Sequence, residues 1–206
     1  DVCPFQNGVL AHLRRSPDAV AAAHRDRYRP RAAHRLDRDT TGVILVAKTR
    51  AAELCLFRQF RERTVAKEYL AVVHGVPEKD AGEIDAAIAE TPGLLERMEI
   101  NPRKGRPSQT AWNILERFRA HALIRACPRT GRRHQIRLHL THIGHPIIAD
   151  RLYGGGSEFL LSALKRGYRT RGGQEEKPLI ARPALHAAAL AFPPPGRPAP
   201  PPPAAP

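Results

Sequence analysis

The sequence predicts an α+β domain built on a mixed, largely antiparallel sheet with flanking helices and loops. Three observations carry that expectation. Apolar runs of strand length outnumber simple strand–helix–strand crossovers. Two of the runs, around Gln109 to Phe118 and Ala122 to Cys127, adjoin closely enough to pair as a hairpin. No segment repeats another, which excludes a solenoid or propeller.

In chain order, Asn7 is suited to cap a short helix with Val9, Leu10 and Leu13 as its apolar positions, stopped by Ser16-Pro17. A basic loop, HRDRYRPR, follows. HRLDRDTTG then reads as a polar turn leading into VILVAKT at 43–49, an almost continuous apolar run expected to be a buried strand. Thr49 can cap the next helix, with Leu54, Phe57 and Phe60 as its apolar stripe and Arg58 and Arg61 facing out. KEYLAVVHG at 67–75 alternates as a strand, Tyr69, Ala71 and Val73 on one face and Leu70 and Val72 on the other, until Gly75 and Pro77 end it.

Residues 78–108 are rich in turn formers and charges and finish in INPRKGRP, so a long, basic, partly irregular excursion is expected there. After the hairpin, TGRRHQIRLHLTHIGHP reads as a loop entering a helix, with Ile136, Leu140 and Ile143 at helical spacing and Gly144 and Pro146 as the stop. ARPALHAAALAF reads as a last strand or strand-plus-turn. The domain is expected to span 1–192, and 193–206 to be a disordered or polyproline tail, because proline removes backbone donors and fits neither a helix interior nor a ladder.

Composition limits the function. The 206 residues are 42% hydrophobic, enough for a core, and the formal charge of +14 suits a polyanionic partner without proving one. Cys3, Cys55 and Cys127 form no CxxC pair, so neither a disulfide framework nor a zinc ribbon is indicated. His134, His139, His142 and His145 lack zinc spacing with a third partner, so no metal is expected. Gly154 to Gly156 lacks the lysine and hydroxyl of a phosphate loop and reads as a turn. With no bilayer-length apolar stretch and no signal core, a soluble cytoplasmic protein is expected.

Asp37 is the candidate for chemistry. It lies in a polar turn between Arg35 and Arg38 just before an apolar run, where a sheet protein can present a rigid side chain to a cleft and neighbouring arginine would keep it ionised. A turn cap or a surface ion pair would fit the same residue.

HRLDRDTTGVILVAKT at 34–49 resembles the signature of the RluA-type RNA pseudouridine synthases. KEYLAVVHG, GRPSQTAW at 105–112, TGRRHQIRLHL at 130–140, HPIIADRLYG at 145–154 and RPALHAAAL at 182–190 resemble further family segments in the family's order. The resemblance implies a pseudouridine synthase catalytic domain that isomerises uridine in a ribosomal or transfer RNA stem-loop, acting as a monomer without cofactor or metal. It implies Asp37 as nucleophile or base, Tyr69 stacked on the uracil and Arg137 salt-bridged to Asp37. Arg35 would fill the gap left in the RNA stack, and His34, Arg132, Arg133, His134, Gln135, Ile136 and Leu185 would complete the RNA and uridine contacts. Two family features are not visible in this sequence, a Lys-Pro-x-Gly turn with its strands and an S4-like domain, and Thr41 stands where serine is common. A non-catalytic RNA-binding protein on the same fold is the alternative.

Overall fold

The computed structural model describes residues 8, 9, 11, 12, 29–94, 96–165, 167–170 and 174–194. The chain divides into two units, one of Asp1–Leu36, Val43–Ala66 and Ala191–Pro203, the other of Asp37–Gly42, Lys67–Leu190 and Ala204–Pro206. Gly8, Val9, Ala11 and His12 are helical, whereas Asn7, Leu10, Leu13, residues 24–28 of the basic loop and the tail beyond Pro194 lie outside the described residues.

In the first unit β1 (Arg31–Ala32) pairs antiparallel with β3 (Val46–Ala47), and α1 (Arg50–Glu62) follows. Thr49 caps α1 as expected, its hydroxyl accepting from the Ala52 N–H at 3.2 Å, and Arg63 ends it in the left-handed region at φ 60°. The expected continuous strand at 43–49 is not formed. Only Val46–Ala47 pairs there, and Val43 is 46% exposed. The apolar stripe of α1 is also rotated from the expected one. Leu56 and Phe60 pack with Ala33, Ala47 and Phe192, while Leu54 and Phe57 are exposed. At about 100° per residue, positions 53, 56, 59 and 60 fall within an arc of about 120°, and 57 and 54 lie beyond one edge of it, by about 40° and 100°. Glu53 sits on that inward face and is kept there by Arg31 and Arg50, and Gln59 donates to the Pro193 carbonyl at 2.9 Å. Two buried polar residues on the core side hid the true stripe from an apolar count.

The second unit is built on a six-stranded sheet, order β2-β10-β4-β9-β8-β5. Its strands are β2 (Thr41–Gly42), β4 (Ala66–His74), β5 (Ala81–Asp85), β8 (Gln109–Arg117), β9 (His121–Pro128) and β10 (Leu185–Ala191). β2 pairs parallel with β10, and β4, β9, β8 and β5 pair antiparallel in succession, so the sheet is mixed and largely antiparallel as the sequence predicts. The expected basic, partly irregular excursion at 78–108 is irregular only between short strands. It holds β5 and an antiparallel pair, β6 (Ile88–Glu90) with β7 (Met98–Ile100). Ile84, Ala86 and Ile88 are buried while Glu83 and Asp85 are exposed, a period-two pattern that the surrounding turn formers obscured.

The core of this unit gathers Ala71, Val73, Ile84, Trp112, Ile124, Ala126, Ile136, Leu140, Ile147 and Leu185. Alanine on the inward faces of β4 and β9 leaves room for α2 (Gln135–His142), which packs on β7, β8 and β9. Helix α3 (Leu161–Leu164) is a single turn. Two glycines are needed where backbones touch. A Cβ on Gly42 would sit 2.2 Å from the Ala187 carbonyl oxygen, where β2 lies on β10, and one on Gly155 would sit 1.7 Å from that of Ile147.

Candidate active site

Asp37 opens a tight turn that the Thr40 N–H closes on the Asp37 carbonyl at 3.0 Å, with Asp39 left-handed at φ 70° and β2 immediately after. The turn holds a half-buried carboxylate while its backbone is pinned to the sheet through β2. Arg137 projects from the first turn of α2 and is only 5% exposed.

A buried guanidinium requires a counter-charge. Its tight partner is Asp150, fully buried at 0% exposure, which takes Nε at 2.6 Å and Nη2 at 2.7 Å in a bidentate fork. Asp37 is reached by the remaining nitrogen, Nη1, with Oδ2 at 3.9 Å. The implied Asp37–Arg137 ion pair is therefore present at long range, and Asp150 is what fixes the arginine. Burial works against the Arg137 charge, but its bonds to Asp150 outweigh that and raise its pKa, with Asp37 adding to the effect.

Asp150 is itself locked by a compact loop. Its carbonyl accepts from Tyr153 N at 3.2 Å and Gly155 N at 2.9 Å, its Oδ1 accepts from Leu152 N at 3.2 Å, and Ala149 before it is left-handed at φ 57°. The Tyr153 ring lies 5.1 Å from the Arg137 Cζ, within cation–π range. Its hydroxyl accepts from Met98 N at 3.0 Å and bonds His134 Nδ1 at 2.8 Å. Neither Asp150 nor Tyr153 stands among the residues picked from sequence. The signal was an aspartate within the apolar HPIIADRLYG, a charge that must find a cation once the run is buried.

Tyr69 on β4 faces the main core cluster, half-buried and packed against it. Burial, and then the Asp37 charge, push its pKa up, so it stays a phenol at neutral pH. Ile136 and Leu185 are buried in that same cluster and back the site from within.

The side chain of Gln135, expected among the RNA contacts, braces the segment around it. Its carbonyl accepts from Thr130 Oγ1 at 2.7 Å and Arg132 N at 2.9 Å, and its amide donates to the Gln109 carbonyl at 2.9 Å and Thr110 Oγ1 at 3.0 Å. An amide has no further hydrogen-bonding capacity after these. Lys67 adds a bond to the Thr130 carbonyl at 2.8 Å, so residues 130–135 are held from both sides.

Arg133 is exposed, and the Arg132 Nε reaches the Pro107 carbonyl at 3.4 Å, which leaves part of each guanidinium facing solvent at the approach to α2. His34 and Arg35 belong to the first unit. There the His34 Nε2 accepts from Leu45 N at 3.0 Å and its ring stacks on Phe60 at 5.1 Å, while Arg35 is exposed. In the histidine-rich run, His139 is fully buried, bonded to Thr110 and the Ala86 carbonyl, and serves the core. Among the described residues no cluster could hold a metal ion and no helix is long and apolar enough to cross a membrane.

The α+β domain thus presents a turn carboxylate beside a buried, carboxylate-locked arginine, with Tyr69 on a strand of the same sheet that β2 joins. The family model described as RNA pseudouridylate synthase matches residues 4–142, a range holding Asp37, Tyr69 and Arg137, and the chain belongs to that family. The ribosomal large subunit pseudouridine synthase D of Xylella fastidiosa is 41% identical over 192 residues, 89% of this chain and 52% of that protein. The synthase D of Neisseria meningitidis is 37% identical over 188 residues, 90% of this chain and 45% of that one. The chain thus spans about half the length of these curated relatives. Among solved structures, human RNA pseudouridylate synthase domain containing 1 matches with a TM-score of 0.62 and 31% identity, covering 82% of this chain and 65% of that one.

Proposed function

We propose that this chain isomerises uridine to pseudouridine in ribosomal RNA, with Asp37 as the reacting carboxylate. The observation that carries the reading is the Asp37–Arg137–Asp150 arrangement, in which one guanidinium is fixed by a buried carboxylate and turned toward a second, more accessible one. Ribosomal RNA is favoured over transfer RNA because the relatives' names specify the ribosomal large subunit. A single copy suffices, since every member of the arrangement comes from one chain.

The isomerisation breaks the bond from uracil N1 to ribose C1′, turns the ring, and joins C5 to C1′, with a proton gained at N1 and one lost from C5. No electron or external group is transferred, so the work asked of the side chains is positioning, charge stabilisation and proton movement. Asp37 serves as nucleophile or base. Arg137 orients it without ever losing its own charge. Tyr69 offers a face for a flipped pyrimidine and a hydroxyl for the C5 proton.

RNA carrying tritium at uridine C5 tests the reading, since pseudouridine formation releases that tritium to water. Release from ribosomal RNA and not transfer RNA is expected, and release from neither would leave a non-catalytic RNA-binding role. In single turnover, Tyr69→Phe keeps the stacking face and should hold RNA normally yet release little tritium. Tyr69→Leu should also bind the target loop more weakly, because base–aromatic stacking contributes about 1–3 kcal/mol. Native-like turnover by Tyr69→Phe would confine Tyr69 to stacking.

Arg132 and Arg133 are assigned to phosphates at the start of α2, where the helix terminus adds partial positive charge. Replacing both by alanine should weaken binding and reduce the salt slope by about 0.7 for each single-strand phosphate that is no longer neutralised. An unchanged slope would remove that assignment.

A further inference from the structure

His134 occupies the position before α2 in the left-handed region, φ 55° and ψ 20°, a conformation uncommon for a residue with a side chain and one that fixes where its ring stands. The ring has one protein partner, the Tyr153 hydroxyl 2.8 Å from Nδ1, and among the described residues no hydrogen bond reaches Nε2. The bond at Nδ1 decides the tautomer. The Tyr153 oxygen already accepts the Met98 N–H at 3.0 Å, and a phenol has one proton to give. Tyr153 is buried, its hydroxyl makes no other hydrogen bond among the described residues, and the cations near its ring, Arg97 at 6.0 Å and Arg137 at 5.1 Å, bring no acceptor. Were Nδ1 to carry the imidazole hydrogen, the phenol proton would be left buried and unpaired, an outcome folded proteins avoid. Tyr153 therefore donates, Nδ1 accepts, and the hydrogen is on Nε2.

Burial keeps the Tyr153 pKa raised, so it retains the proton it donates. Burial likewise depresses His134; the Asp37 charge opposes this, and Arg137 and Arg133 reinforce it. Tyr153, bonded to His134, lies 5.1 Å from the Arg137 Cζ, and Arg137 Nη1 is 3.9 Å from Asp37, so the imidazole is linked to the proposed reacting carboxylate through two side chains.

Resting on the reading above, we propose that His134 meets the target uridine as a neutral hydrogen-bond donor through Nε2–H, and that Tyr153 is the positioning residue that fixes this tautomer. A uracil presents carbonyl oxygens to such a donor. A neutral N–H holds a carbonyl while the ring turns without adding a second positive charge beside Arg137, and an imidazole free to swap its hydrogen would present an acceptor part of the time.

Long-range proton–nitrogen NMR of the imidazole reads the tautomer directly, independent of turnover. The native protein should show His134 with its hydrogen on Nε2, and Tyr153→Phe, which keeps the ring and removes the hydroxyl, should show a mixture. On the substrate side, His134→Gln supplies an amide N–H near the place of Nε2 and should keep kcat/KM within about threefold, while His134→Phe should lose about tenfold, the worth of one hydrogen bond. Phenylalanine also leaves the Tyr153 proton unpaired where glutamine can accept it, so urea midpoints measured alongside separate a loss of stability from the loss of a substrate contact. A hydrogen on Nδ1 in the native spectrum, or glutamine no better than phenylalanine, would overturn the proposal. Absence of turnover by the native protein would instead sink the synthase reading and the substrate contact with it, while the spectrum still decided the Tyr153–His134 arrangement.

Discussion

Asp37→Asn is expected to lose pseudouridine formation by at least about 10³-fold while the protein stays folded and binds RNA within a few-fold of native. The turn that carries Asp37 is closed through its backbone carbonyl and anchored by the β2–β10 pairing, so an amide of the same size disturbs neither. The side chain gives up only a 3.9 Å ion pair with Arg137, whose main partner is elsewhere. A loss of about 1 kcal/mol or less in stability is expected from so long and partly solvated a pair. What disappears is charge at the reacting position. Pseudouridine formation by the purified variant at more than a few per cent of the native rate would remove Asp37 from the chemistry.

Asp150→Ala carries the largest expected effect on stability. It deletes both halves of the bidentate fork and the acceptor for Leu152 N, and leaves Arg137 as an uncompensated charge at 5% exposure. Removing one partner of a buried pair costs about 3–5 kcal/mol, a large part of the roughly 5–15 kcal/mol that holds a typical domain together. Urea denaturation reads the loss. Adding Arg137→Met to Asp150→Ala should recover part of it, because the orphaned charge goes, yet should recover no activity, because the cation that orients Asp37 goes with it. A loss under about 1 kcal/mol in the single variant would mean that Arg137 finds another partner and that Asp150 does not hold the site.

Sequence patterning located the elements whose signal is local. The Thr49 cap of α1, the alternation of KEYLAVVHG and the paired runs at 109–118 and 122–127 each declare themselves within a few residues, and β4, β8 and β9 form there. What failed needed tertiary information. Glu53 and Gln59 turn inward because Arg31, Arg50 and the Pro193 carbonyl receive them, and that arrangement rotates the α1 stripe away from Leu54 and Phe57. VILVAKT is apolar enough for a strand, but a ladder needs a neighbour along its whole length, and only Val46–Ala47 has one. At the site, Asp37, Tyr69 and Arg137 were legible as residue types, whereas Asp150 and Tyr153 gain meaning only when the loop through Gly155 folds back beside α2. Gln135 is a polar residue in a basic segment whose side-chain hydrogen bonds close within the protein, which its residue type alone does not reveal.

The most direct test of the central claim is nucleoside analysis of ribosomal RNA lacking the modification, digested and separated after incubation with either the native chain or its Asp37→Asn variant. The account predicts that a pseudouridine peak appears with the native chain, in place of an equal amount of uridine, and stays absent with the variant. No peak with the native chain, or equal peaks with both, would contradict it.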